Sequence, residues 1–142
     1  MKAKLFELLA EEGYRPKIDE DGDIRFSVEG FTHMLDFDER DPAYVRLMLP
    51  QFWSIDDADE LQRAYIAANE VCLMVKGAKV FVVNEAAVWS TVEYVVTTLE
   101  AVTGPMLARH LEMIRRAWGA FRDKMTELER AGEQVGSCVT AH

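Results

Sequence analysis

The spacing of hydrophobic positions changes along the chain, and each change marks a new element. Leu5, Leu8 and Leu9 recur at helical spacing and Gly13 offers a stop, which predicts a helix over about Lys2–Glu12. Tyr14–Ile18 reads as a short strand, followed by turn chemistry at Asp19-Glu20-Asp21-Gly22, because Asp-Gly readily supplies positive φ. From Ile24 the period falls to two. Ile24, Phe26 and Val28 alternate with Arg25, Ser27 and Glu29, then Gly30 breaks the run. Phe31, His33, Leu35 and Phe37 continue the alternation in a third strand. Asp38–Pro42 reads as a loop, and Tyr44–Leu49 as a fourth strand that Pro50 closes.

Helical spacing then returns. Ser54 reads as an N-cap, and Asp56, Asp57 and Asp59 suit the positive end of a helix dipole. Ala58, Leu61, Tyr65, Ala68, Cys72 and Val75 mark the apolar face of this second helix, and Lys76-Gly77 its end. Lys79–Val83 and Val88–Val96 read as a second hairpin around Asn84-Glu85-Ala86-Ala87. Thr103 and Pro105 open a last helix that runs to about Arg130. The order α-β-β-β-β-α-β-β-α has adjacent strands and no βαβ alternation. It predicts an α+β fold with one antiparallel sheet of about five to six strands and flanking helices. Residues 1–131 form the expected single domain, and 132–142, small and polar without periodicity, the expected flexible tail.

The last helix carries the sharpest pattern. Leu107, Leu111, Ile114, Trp118, Phe121, Met125 and Leu128 step alternately by four and three, a heptad seam. Such a stripe either packs on its own sheet, as amphipathic helices usually do, or serves a dimer or partner interface, and different turns can do both. Leu111, Ile114, Trp118, Phe121 and Met125 are the candidate protein-interaction residues.

Charge narrows the partners. Residues 1–103 hold ten basic and twenty acidic side chains, a net −10, whereas 104–131 carry a net +2. So acidic a body repels phosphate backbones and anionic membranes, which argues against nucleic-acid or membrane partners and favours proteins with basic or apolar surfaces. No apolar run is long enough to cross a bilayer, and the N-terminal residues do not read as a signal peptide. A cytoplasmic location is the default expectation.

Candidate chemistry is sparse. Asp19, Asp21 and Asp23 resemble the opening of a calcium loop, but Ile24 and Phe31 stand where its Gly and Glu belong, so a hairpin turn is expected. Asp36, Asp38 and Asp41 read as a charged strand end. Cys72 and Cys138 show no metal or redox spacing. Cys72 is expected as a buried inert thiol on the second helix, and Cys138 as exposed. Pro50-Gln51-Phe52-Trp53 reads as a hydrophobic plug. No phosphate loop, triad or zinc motif occurs, so neither catalytic residues nor a cofactor are expected. A rival reading places a small-molecule sensor or enzyme pocket near His33, Asp36 and Tyr44.

Several distributed features together resemble the bacterial sensory transduction regulator (YbjN-like) family, which shares the fold of type III secretion chaperones. They are Leu8-Leu9-x-Glu11-Glu12-Gly13-Tyr14, then Asp21-Gly22-Asp23-Ile24-x-Phe26-x-Val28-Glu29-Gly30 running into Phe31. Ala67-Ala68-Asn69-Glu70, the Lys79–Val83 strand and the long helix after a hairpin complete them. The resemblance spans about residues 1–130. It implies a non-enzymatic α+β homodimer that acts by binding other proteins, as a chaperone or a regulator. It carries over no catalytic or binding residue.

Overall fold

The computed structural model describes the backbone of residues 1–140 and the side chains of residues 1–133. The chain runs α1 (Lys2–Glu11), β1 (Lys17–Ile18), β2 (Ile24–Val28), β3 (Phe31–Asp38), β4 (Asp41–Ser54), α2 (Ala58–Met74), β5 (Ala78–Val83), β6 (Ala87–Val95), a 3₁₀ turn (Leu99–Ala101) and α3 (Gly104–Thr140). The strands form one six-stranded antiparallel sheet in the order β1-β2-β3-β4-β6-β5. The fold is thus the expected α+β arrangement.

Turn residues set the register. Val28 pairs with Phe31 across Glu29-Gly30, and both turn residues have positive φ, 51° and 84°. That is the backbone a two-residue hairpin needs, because it matches the twist of its strands. The second turn, Glu39-Arg40, is as short, and β4 begins at Asp41, so the expected Asp38–Pro42 loop is mostly strand. Nor does Pro50 end β4. Pairing with β3 stops at Met48, and a bulge between Leu49 and Trp53 takes the next residues out of the β6 ladder. The proline's missing N–H therefore costs no ladder bond.

All three helices contribute to one apolar cluster on one face of the sheet. Leu5 and Leu9 of α1, Ala64, Ala67, Ala68 and Val71 of α2, and Leu107, Ile114, Ala117, Phe121 and Met125 of α3 meet Ile24, Leu35, Val45, Leu47, Val88 and Val92 there. Phe52 and Trp53 reach Phe121 edge-on at 5.3 and 5.4 Å between centroids, so the two aromatic residues of the Pro50–Trp53 segment do cap the core. The α2 face is rotated from expectation. Its three alanines allow a close approach, and Tyr65 and Cys72 are left exposed. The Cys72 sulfur instead accepts from the Val80 N–H, 3.2 Å away, at the edge strand β5. Asp57 rather than Ser54 caps α2, accepting from the Glu60 N–H at 2.8 Å, because β4 still pairs at Ser54. Gly77 ends the approach to β5. Its φ is +74°, and a Cβ there would lie 2.7 Å from the Met113 sulfur of α3.

Thr103 caps α3 through the Met106 N–H at 3.2 Å, as its sequence predicts. The helix does not stop near Arg130 but continues to Thr140. From residue 134 onward, the side chains of the expected tail lie outside the described residues.

Phe121 is fully buried against two aromatic rings. Phe121→Ala should lower unfolding free energy by about 3–5 kcal/mol, measured by urea denaturation, whereas Arg130→Ala on the exposed side of α3 should change it by less than about 0.5 kcal/mol.

Candidate functional site

The heptad seam of α3 divides by depth. Ile114 and Phe121 are fully buried and Met125 nearly so, all within the chain's own core, and Ile114 also forms part of the wall of the cavity that opens beside it. Leu111 and Trp118 are only half-buried. They stand at the margin where α3 leaves the sheet above the β2–β3 hairpin.

A cavity of about 220 Å³ opens at that margin. Aromatic and aliphatic walls come from Tyr14, Val28, Phe31, Leu49, Leu111 and Trp118. The Phe31 and Trp118 rings lie 5.0 Å apart between centroids, and the Arg122 guanidinium covers Trp118 at 4.6 Å. Ala108, Ile114, Glu29, Glu112 and Arg115 also line it. The Glu112 carboxylate accepts from Arg115 at 2.8 Å and Arg116 at 3.2 Å, and these guanidiniums hold its pKa down to about 2.

His33 is the one buried polar side chain of this lining and is only 5% exposed. It stacks on Phe26 at 5.5 Å, and its Nδ1 lies 3.0 Å from the Phe31 carbonyl. A carbonyl only accepts, so Nδ1 carries the proton and the neutral ring leaves a lone pair on Nε2. Burial holds the ring's pKa below its ordinary value.

The residues of the rival pocket are not brought together. His33 faces the helices, whereas Asp36 and Tyr44 lie on the opposite face of the sheet, because side chains an odd number of positions apart point to opposite sides. There Asp36 pairs with Arg46, whose Nε lies 2.9 Å from its carboxylate, and Tyr44 donates to Glu93 at 2.6 Å. Lys79 pairs with Glu93 from β5. Burial and the Glu93 carboxylate push the Tyr44 phenol up to about 12. These groups knit four strands together and show no free nucleophile or base.

At the β1–β2 turn the carboxylates of Asp19, Asp21 and Asp23 gather within 4.8 Å. Asp19 there accepts from the Asp21 and Asp23 N–H groups, each at 3.0 Å, and from Arg25 at 2.8 Å, which is the work of a turn residue.

No family model matches the sequence, and no curated protein matches it. Solved structures do. One chain of the HopA1–SchA chaperone–effector complex superimposes with a TM-score of 0.61 at 15% identity, covering 86% of this chain and 92% of its own. An uncharacterized protein from Methanothermobacter thermautotrophicus matches with a TM-score of 0.64 at 11% identity, covering 89% and 96%. Identities this low establish a shared fold, and a shared fold alone does not carry function.

Two aromatic members of the site, Tyr14 and Phe31, were not among the sequence candidates. Their signal was available, since Phe31 follows the Glu29-Gly30 turn on the same face as His33.

Burial lowers the pKa of both His33 and His110, so the unfolded chain takes up protons near pH 6.5 where the folded chain does not. Stability is therefore complete above that pH and lost as pH falls toward the folded values. The thermal midpoint should drop between pH 7 and pH 5, and His33→Phe should flatten the drop, as followed by circular dichroism.

Proposed function

We propose that the chain is a non-enzymatic, protein-binding module, chaperone-like or regulatory, that works as a homodimer in the cytoplasm. One observation carries this reading: the half-buried apolar pair Leu111 and Trp118 packs against the edge of the core and leaves its other side facing an open cavity. The shared fold with a chain of a chaperone–effector complex supports it, as does the net −10 of residues 1–103, which suits a basic or apolar segment of another protein. His33 contacts a carbonyl and an aromatic ring rather than a nucleophile, which favours binding over catalysis. The YbjN-like resemblance fits the same reading.

The dimer contact belongs on another surface than the α3 seam. The outward side of α2 exposes Tyr65, Ile66, Leu73 and Met74, with Leu73 at 83%. An apolar set of this kind on a helix otherwise packed against its own core is what a second copy covers.

Two measurements test these parts. Light scattering should give a dimer for the wild type and a folded monomer for Tyr65→Glu/Leu73→Glu, whereas a monomeric wild type removes the homodimer. Binding to an array of basic-apolar peptides should fall at least tenfold in Trp118→Glu with the dimer intact, and the reading fails if no peptide binds the wild type.

A further inference from the structure

We propose that the cavity under α3 receives the phenol ring of a tyrosine carried by the partner segment, with its hydroxyl donating to His33 Nε2. This rests on the protein-binding reading and names the side chain that the site selects.

Size sets the first limit. Apolar cavities of roughly 150 Å³ suffice to bind benzene, so about 220 Å³ accepts one substituted ring and not two. The walls set the second. Tyr14, Phe31 and Trp118 offer ring faces and edges to another aromatic ring, in the offset geometries that such rings prefer.

The third limit is the acceptor. Nδ1 of His33 is committed to the Phe31 carbonyl, and Nε2, the ring nitrogen furthest from the backbone, has no hydrogen-bond partner among the described residues. A group that fills the cavity takes water away from this lone pair and must itself donate to it. Phenylalanine or leucine cannot. A carboxylate would meet the lone pair and Glu29 with the wrong sign, and the Arg115 guanidinium in the same lining is already engaged by Glu112. A lysine or arginine would give up its hydration in an apolar slot. Tyrosine alone among the common side chains combines a flat apolar ring with a donor at its far tip. Tryptophan carries its N–H at the side of the ring system.

Charge indicates what flanks the tyrosine. Glu29 lies at the cavity and makes no salt bridge among the described residues, while Glu112 is already held by two arginines. A basic residue next to the tyrosine would pair with Glu29, in keeping with the acidity of the body.

The test titrates the whole chain, by NMR of the Trp118 indole and His33 ring signals, with p-cresol and with toluene, which lacks only the hydroxyl. The p-cresol is expected to bind about five- to tenfold more tightly, the usual return on one buried hydrogen bond. His33→Phe should abolish the difference. A matched peptide pair, Lys-Lys-Tyr-Leu-Lys and its phenylalanine twin, should show the same preference by fluorescence polarisation. Equal affinity for p-cresol and toluene, or unmoved Trp118 and His33 signals, overturns the proposal without recourse to any variant. Peptides that bind without regard to tyrosine also overturn it but leave the protein-binding reading standing. Loss of all peptide binding removes that reading itself.

Discussion

The arrangement depends on α3 lying across one face of the sheet. Leu107, Ile114, Phe121 and Met125 turn inward along this helix, and each buried side chain of this size contributes roughly 1.5–3 kcal/mol. Phe121 is the fixed point, held by Phe52 and Trp53 from the bulged end of β4. The bulge that re-aims those two rings is what lets so long a strand both pair with its neighbours and close the core. Lys124 of α3 also reaches Glu70 of α2 at 2.9 Å, joining the two helices at their exposed margin. This pair sits at the surface and adds little to the apolar contacts.

With every helix on one face, the other face must satisfy itself. Arg46 in the middle of β4 faces Asp36 on one side and Glu93 on the other, and Lys79 completes the row. Met48 and Thr91, next along the same face, are nearly buried. The charged row is therefore a structural device that holds four strands in register, and it explains why the acidic and basic groups of the sheet center offer no chemistry of their own. The open cavity lies instead where α3 and the β2–β3 hairpin diverge, with Trp118 and Leu111 at its margin and His33 in its wall.

Much of the fold was legible because short-range chemistry dictates it. Asp21-Gly22 and Gly30 marked their turns, Thr103 marked the start of α3, and the alternation from Ile24 to Phe37 marked two strands with the correct faces. What failed was decided at long range. Pro50 looked like a strand end, but its position beyond the β3 pairing made it harmless. Cys72 looked buried, but the close approach allowed by Ala64, Ala67 and Ala68 turned α2 so that its sulfur reached the β5 edge instead. The α3 stripe was visible as a seam, yet its division into core residues and a half-open pair depends on where the helix crosses the sheet, which no local spacing encodes. The grouping of His33 with Asp36 was refutable from the two-residue period alone, whereas that with Tyr44 needed the β3–β4 register. The cavity itself, made from α1's end, one hairpin and α3, was legible from neither.

The central claim is that this cavity, and not the α2 surface or the helix-free face of the sheet, is where another protein docks. The most direct measurement is an NMR map of the isotopically labelled chain with a bound peptide from the array. The account predicts shifts and intermolecular contacts concentrated at Tyr14, Phe31, His33, Leu111 and Trp118, with Arg46, Glu93 and Leu73 unchanged. Contacts centred on the Asp36–Arg46–Glu93 row or on Tyr65 and Leu73, with the Trp118 indole unmoved, would contradict it.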